Sequence, residues 1–432
     1  MAGALRPRWG QPVTGIISLI AFTVIAWILW YIFSDPRGPV ATFPYPFVMY
    51  LAMMILVGLW QHMFMGDWPF QDMPQPARGI VETIVNLIVV WFVIHVVFYR
   101  ILGLGFNFLS QSNLEALAAA GQTVMPEGVA KTLTLEALVN PSARLAERAV
   151  VTFVLIGFYS YPFITILFGK WPIRPSDLPQ PQAGVAEIGW TSLLTLFFYT
   201  VLIVPFWGLI YGKVFGLSYG MNTPWWTGIA GTSHVHWVFG WWEWMIIVLF
   251  MTPNVWRMKP WSLIKLPQPW KGLISFILNV ILGFILAWLC TKIAPAWMNM
   301  EEIIKHLPAG DKGDPTRFLW YHAAEIAGFT LIPFLIWHHY FDDMVPMADV
   351  DSWGAFWFRT IGVFIVLAGI NYIFFYVLNF GHWGLGNHHM EHGLAERYIG
   401  GESLIWNFWW IIPLLWNEWF FHKWPFYVHD HH

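Results

Sequence analysis

Met73–Gly79 reads MPQPARG, Leu178–Gly184 reads LPQPQAG and Leu266–Gly272 reads LPQPWKG. Three such near-copies, each set between long apolar runs, are the mark of an internal repeat. The wording has a local meaning. Proline ends one helix, Pro-x-x-Gly allows a short extended approach, and the next helix opens with glycine near its first turn. Two further places keep part of the pattern. Gly10–Gly15, GQPVTG, has the same Pro-x-x-Gly spacing, and Val350–Gly354, VDSWG, keeps the glycine with Asp351 where the proline would stand.

The runs that close before these connectors also end alike: MGDWPF at Met65–Phe70, FGKWPI at Phe168–Ile173, RMKPW at Arg257–Trp261, DDMVP at Asp342–Pro346 and HKWPF at His422–Phe426. The repeat therefore holds two spans. Breaks at Pro, Gly and charge clusters give about ten runs of roughly 20–26 residues, each long enough to cross a bilayer. They begin near Thr14, Tyr45, Gly79, Ala149, Gly184, His236, Gly272, Leu319, Gly354 and Leu404. The expected fold is an all-α polytopic membrane protein forming one membrane domain, built as five two-helix units over residues 6–70, 73–173, 178–261, 266–346 and 349–426. A two-span period preserves direction, so equivalent helices run parallel and a pseudo-symmetry axis would lie along the membrane normal, unlike an inverted repeat.

Composition supports the same class. Of 432 residues, 57% are hydrophobic and 11% charged, too little polar surface for a soluble fold of this size. A net charge of -3 supplies no basic field for nucleic acid. The single Cys290 excludes an internal disulfide and a thiolate-rich metal centre, so any metal would be held by imidazole and carboxylate. The first run, Thr14–Ser34, is too long for a signal-peptide core and reads as a retained span. Arg6 and Arg8 beside it, against Arg37 alone beyond it, place both termini in the cytoplasm of a bacterial cytoplasmic membrane. Most of the 31 tryptophans read as interfacial anchors and packing.

The connectors lie on one face with the termini, and the opposite face carries longer linkers at residues 35–44, 106–148, 214–235, 297–317 and 379–402, the second reading as surface helices. Glu82 and Glu187 each fall three residues after a connector glycine, where a first-turn carboxylate is favoured by the helix dipole. Asn86 and Asn279, seven after it, suit interhelical hydrogen bonds.

Chemistry-bearing residues gather on the long-linker face. His234 and His236 stand in GTSHVHW, His322 and Glu325 open the eighth span, and GHWGLGNHHMEHG carries His388, His389, Glu391 and His392. His-x-His places two rings on one side of an extended segment, and i, i+3 or i, i+4 pairs share a helix face. The expected metal ligands are His234, His236, His322, His388, His389 and His392, a donor set suited to iron or copper, with zinc also compatible, and unsuited to magnesium or calcium. Glu325 and Glu391 are expected to fix an imidazole tautomer or to move protons. Glu243, seven residues after His236 inside a span, joins them, and His95, also inside a span, is a candidate haem ligand. The spacing matches neither the zinc-protease helix nor the paired boxes of membrane desaturases, and so carries no family. Interfacial histidines with no ligand remain the plain alternative.

A competing constellation lies on the connector face. Aligning Trp60, Trp337 and Trp416 places His62, His339 and Glu418 at one level, with His338, Asp342, Asp343 and His422 nearby. Such residues could ring a pore or bind haem. Three function classes follow. The first is a metal-dependent membrane oxidoreductase, or one subunit of a larger complex, acting on a small or lipid-soluble substrate. The second is electron transfer through b-type haem. The third is a channel, transporter or noncatalytic scaffold.

Overall fold

A computed structural model describes residues 5–33, 38–39, 47–101, 141–173, 178–197, 236–306, 315–344, 351–378 and 402–429. The architecture is all-α apart from a two-stranded antiparallel ribbon that pairs Leu5–Pro7 with Tyr427–His429 and sets the two described ends side by side. The longer helices are α1 (Val13–Phe33), α2 (Phe47–Leu59, continued by a wider turn to Phe64), α3 (Ala77–Phe92, continued to Ile101), α4 (Pro141–Ile166), α5 (Gln182–Phe197), α6 (His236–Asn254), α7 (Trp270–Ile293), α8 (Thr316–Tyr340), α9 (Trp353–Ile361, continued to Val377) and α10 (Glu402–Trp419). Among the described residues, five stretches are long and apolar enough to cross a membrane: Val13–Phe33, Ala77–Phe98, Trp270–Ala296, Phe318–Tyr340 and Trp353–Tyr376. The 106–148 linker falls mostly outside the described residues, and its last part, from Pro141, is already the first turns of α4.

The even-numbered helices form an inner layer in which α2 touches α4, α4 touches α6, α6 touches α8, α8 touches α10 and α10 returns to α2. The odd-numbered helices lie outside it. Their buried stripe is small and polar: Gly79, Glu82 and Asn86 in α3, Gly184, Glu187 and Thr191 in α5, Gly272, Ser275 and Asn279 in α7. Their large apolar side chains, such as Ile20, Ile88, Leu193 and Ile281, point outward. This inverts a soluble amphipathic helix and is what a lipid-facing helix requires, because lipid gives no hydrophobic drive and close packing comes from small residues and interhelical hydrogen bonds. The protein is membrane-embedded, with α8 largely enclosed (76% of its apolar window buried) and α1, α7 and α9 largely lipid-facing (22%).

Every inner helix ends in the same turn. The N–H of Asp67 reaches the carbonyl of Gln61 at 2.9 Å, and the same six-residue step joins Lys170 to Ile164, Met258 to Thr252, Asp343 to Trp337 and Lys423 to Asn417. Each turn carries two successive residues at positive φ: Gly66 and Asp67, Gly169 and Lys170, Arg257 and Met258, Asp342 and Asp343, His422 and Lys423. Glycine serves the first position in only two of them. The pattern also corrects one register. Ile336, not Trp337, is equivalent to Trp60 and Trp416, so His338 rather than His339 stands level with His62.

The connectors dock on these turns. Gln180 Nε2 donates to Phe64 O at 2.9 Å, Gln268 to Leu167 O, Gln11 to Tyr340 O and Gln75 to Phe420 O, each at 2.8 Å. These carbonyls are equivalent, and the fifth, Val255 O, accepts from Arg359 Nε at 2.8 Å. In three connectors the glutamine Oε1 also accepts from the glycine N–H, capping the outer helix. The reason for the repeated wording is therefore tertiary. The glycine is needed for close approach, since a Cβ at Gly184 would lie 2.5 Å from Met65 Sδ and 2.8 Å from Phe64 O, and one at Gly272 would lie 2.4 Å from the Phe168 ring. Gly184→Ala should cost about 1–3 kcal/mol, read as a lower midpoint of unfolding in detergent, because the carbonyl cannot give way as a side chain can. Gly189→Ala on the same helix faces open space and should leave the midpoint unchanged or higher.

Candidate functional site

Of the linker-face residues, the structure describes His322, Glu325 and their surroundings most fully. Both sit on one face of α8 at i, i+3, and both are completely buried. His322 Nδ1 lies 2.6 Å from Glu325 Oε2, and His322 Nε2 lies 2.9 Å from the hydroxyl of Tyr372, which arrives from α9. Trp297 Nε1 donates to the same hydroxyl at 3.0 Å. A proton on Nδ1, donated to Glu325, leaves Nε2 to accept from Tyr372. The donors then run in one direction, from Trp297 through Tyr372 and His322 to Glu325. Phe318 stacks on the imidazole at 5.9 Å, and Tyr376 lies 5.6 Å away, so the pair is walled by rings.

Helix α6 is pressed against this end of α8. Trp244 Nε1 donates to Ala323 O at 3.0 Å, and a Cβ at Gly240 would come within 2.3 Å of Trp320 O. The two helices thus run side by side from their first turns, and His236, the first residue of α6, stands near the opening of α8. Glu243 is half-buried two turns into α6. His234, His388, His389, Glu391 and His392 lie outside the described residues, as do the side chains of His236 and His306. His95 is placed apart from this cluster. Its Nε2 lies 2.8 Å from Tyr50 Oη on α2, a hydrogen bond between neighbouring helices, with Trp91 beside the ring. Tyr372 and Trp297 had no sequence signal, since one is an ordinary residue of an apolar run and the other reads as an interfacial anchor.

At the connector end a second polar network centres on Asp67. Its carboxylate meets His62 Nδ1 at 3.0 Å, His422 Nε2 at 3.3 Å and Arg78 Nη2 at 2.5 Å, and Arg78 Nε goes on to Glu82 at 3.1 Å. Burial alone would push the Asp67 carboxyl up, but hydrogen bonds from His422 and His62 and the charges of His62 and Arg78 hold it well below the ordinary carboxylate range. The adjoining turns carry His338–Asp343 at 2.9 Å and His339–Glu418 at 3.2 Å. The sequence signal for Asp67 was partial, since the four equivalent turn positions hold Lys170, Met258, Asp343 and Lys423. Lys170 pairs with Glu187 at 2.9 Å, whereas Asp67 faces Glu82 and needs Arg78 between them. Asn86 and Asn279 do make interhelical bonds, to Met54 O and Gln61 and to Tyr159 respectively. Comparison with family models, with curated proteins and with solved structures finds no match.

Proposed function

We propose that this protein is an integral-membrane oxidoreductase, or the membrane subunit of one, built from five parallel two-helix units and carrying an imidazole–carboxylate metal site at the long-linker end. The five equivalent turns and the connectors docked on them support the five-unit reading. Each connector docks on the turn two units earlier around the inner layer, so the units close into a ring of ten spans, with both ends on the cytoplasmic side in line with Arg6 and Arg8.

The observation that carries the site is the fully buried His322–Glu325 pair at 2.6 Å. A carboxylate on one imidazole nitrogen fixes the tautomer and raises the basicity of the other, the arrangement that accompanies metal-ligating histidines. His322 Nε2 is the ligand atom, and His234, His236, His388, His389 and His392 complete the set. Iron or copper held by such donors supplies one-electron chemistry. Glu325 holds the Nδ1 proton, the Tyr372 hydroxyl that now meets Nε2 gives way to the metal, and Glu243 and Glu391 serve as acid–base groups toward a small or lipid-soluble substrate. The ring wall excludes water from the pair.

The test is metal analysis and an absorption spectrum of the purified chain. Bound iron or copper that falls by one ion in His322→Ala and in His388→Ala, and that binds 10–100-fold more weakly in Glu325→Gln, is the expected result. Full occupancy in the histidine variants would sink the reading. A Soret band that disappears in His95→Ala would transfer the function to b-type haem.

A further inference from the structure

The connector end carries a metal-binding geometry of its own. The ligand atoms of His62, Asp67 and His422 lie within 4.8 Å of one another, the one such trio among the described residues. The two imidazoles address different oxygens of Asp67, His62 Nδ1 at 3.0 Å from Oδ1 and His422 Nε2 at 3.3 Å from Oδ2. About 3.0–3.4 Å is also the separation of neighbouring ligands around an ion bound at about 2.0–2.1 Å with angles between 90° and tetrahedral. A cation in front of the carboxylate therefore meets all three side chains after small movements, and each imidazole carries its remaining proton on the opposite ring nitrogen. Arg78 Nη2 lies 2.5 Å from Oδ2, an ion pair that holds the carboxylate in place.

The backbone presents these ligands rigidly. Asp67 and His422 both sit at positive φ, 61° and 46°, in turns closed by the six-residue hydrogen bond. His422 occupies the position that Gly66 and Gly169 fill in two other turns and Arg257 and Asp342 in the remaining two, a left-handed conformation that fixes the direction of its side chain. The side chains of His62 and His422 are 32% and 26% exposed, which leaves an entry from water.

The repeated turn supplies an internal control. His338 and Asp343 reproduce the His62–Asp67 pair, but the residue equivalent to His422 in the turn before them is Arg257, whose guanidinium has no lone pair to offer a metal. Elsewhere the three positions hold Thr165, Lys170 and Gly66, or Pro253, Met258 and Gly169, or Glu418, Lys423 and Asp342. The trio is thus a property of one junction and not a by-product of the turn.

We infer that His62, Asp67 and His422 form a two-histidine, one-carboxylate site for a single divalent transition ion. Imidazole with carboxylate selects iron(II), zinc or cobalt(II) over magnesium and calcium, and the two-histidine, one-carboxylate arrangement with open positions is the one used by non-haem iron(II). This site stands apart from the linker-end metal and does not depend on it.

The test uses the full chain stripped with a chelator and titrated anaerobically with cobalt(II) alone. One equivalent with visible ligand-field absorption is expected in a variant lacking His234, His236, His322, His388, His389 and His392, the proposed linker-end ligands. The same background with His62→Ala or His422→Gln should bind at least tenfold more weakly, while His338→Ala should bind as before. Equal binding with and without His62 and His422 would overturn the assignment, whatever the fate of the linker-end site. A readout free of substitutions is histidine modification of the wild-type protein followed by peptide mass spectrometry. Cobalt(II) should protect His62 and His422 and leave His338 reactive, and an absence of protection would also overturn it.

Discussion

Arg78→Ala is expected to lower the unfolding free energy of the protein in detergent by about 3–5 kcal/mol, the cost of removing one member of a buried ion network. Arg78 stands between two carboxylates, 2.5 Å from Asp67 and 3.1 Å from Glu82, with all three side chains at least nine-tenths buried. Its removal leaves two acids facing one another with only the histidines to compensate. The pH dependence carries a sign. The Asp67 carboxyl is depressed in the folded protein, so its contribution is present above the unfolded value and is lost only as pH falls through the folded value. The wild-type network should therefore persist as pH is lowered from neutrality to about 4. In Arg78→Ala the carboxyl loses a cation and keeps its burial, so its folded value rises. The deficit should be largest at neutral pH and narrow on acidification, as read by detergent unfolding at several pH values. A deficit that widened toward pH 4 would contradict the account.

Glu325→Ala should be the most damaging single change at the linker end, costing about 3 kcal/mol, the upper range for leaving a buried polar group without its partner. His322 is completely enclosed, and the 2.6 Å bond to Glu325 satisfies its Nδ1. Tyr372→Phe removes only a hydroxyl whose role at Nε2 is one ordinary hydrogen bond and should cost about 0.5–1.5 kcal/mol. Glu325→Gln, which can still accept from Nδ1, should fall between them. Equal unfolding midpoints for Glu325→Ala and Tyr372→Phe would show that the carboxylate does not hold the imidazole.

Local chemistry accounts for what was legible in the chain. The connector wording pointed to equivalent junctions, and four of the five share one glutamine-to-carbonyl dock, with Arg359 taking that place in the fifth. The pairing of His322 with Glu325 was readable because i, i+3 residues share a face of any helix. Tyr372 was not readable, since its contact with His322 spans 50 residues and depends on how α9 lies against α8. The same limit hid Asp67, whose partner His422 is 355 residues away. The offset of His338 and His339 escaped because a tryptophan landmark slipped by one residue, and only the turn hydrogen bonds define the register.

By itself the sequence determined the membrane class, the predominantly helical character and the likeness of the junctions. Span length, polarity and turn chemistry are properties of neighbouring residues, and lipid leaves few other solutions for so apolar a chain. Only the tertiary structure decided which turn each connector meets, why Gly15, Gly79, Gly184 and Gly272 must lack a side chain, and which carboxylate His62 and His422 find. Those outcomes depend on the order and register of helices far apart in the chain, for which junctions of nearly interchangeable wording carry no local signal.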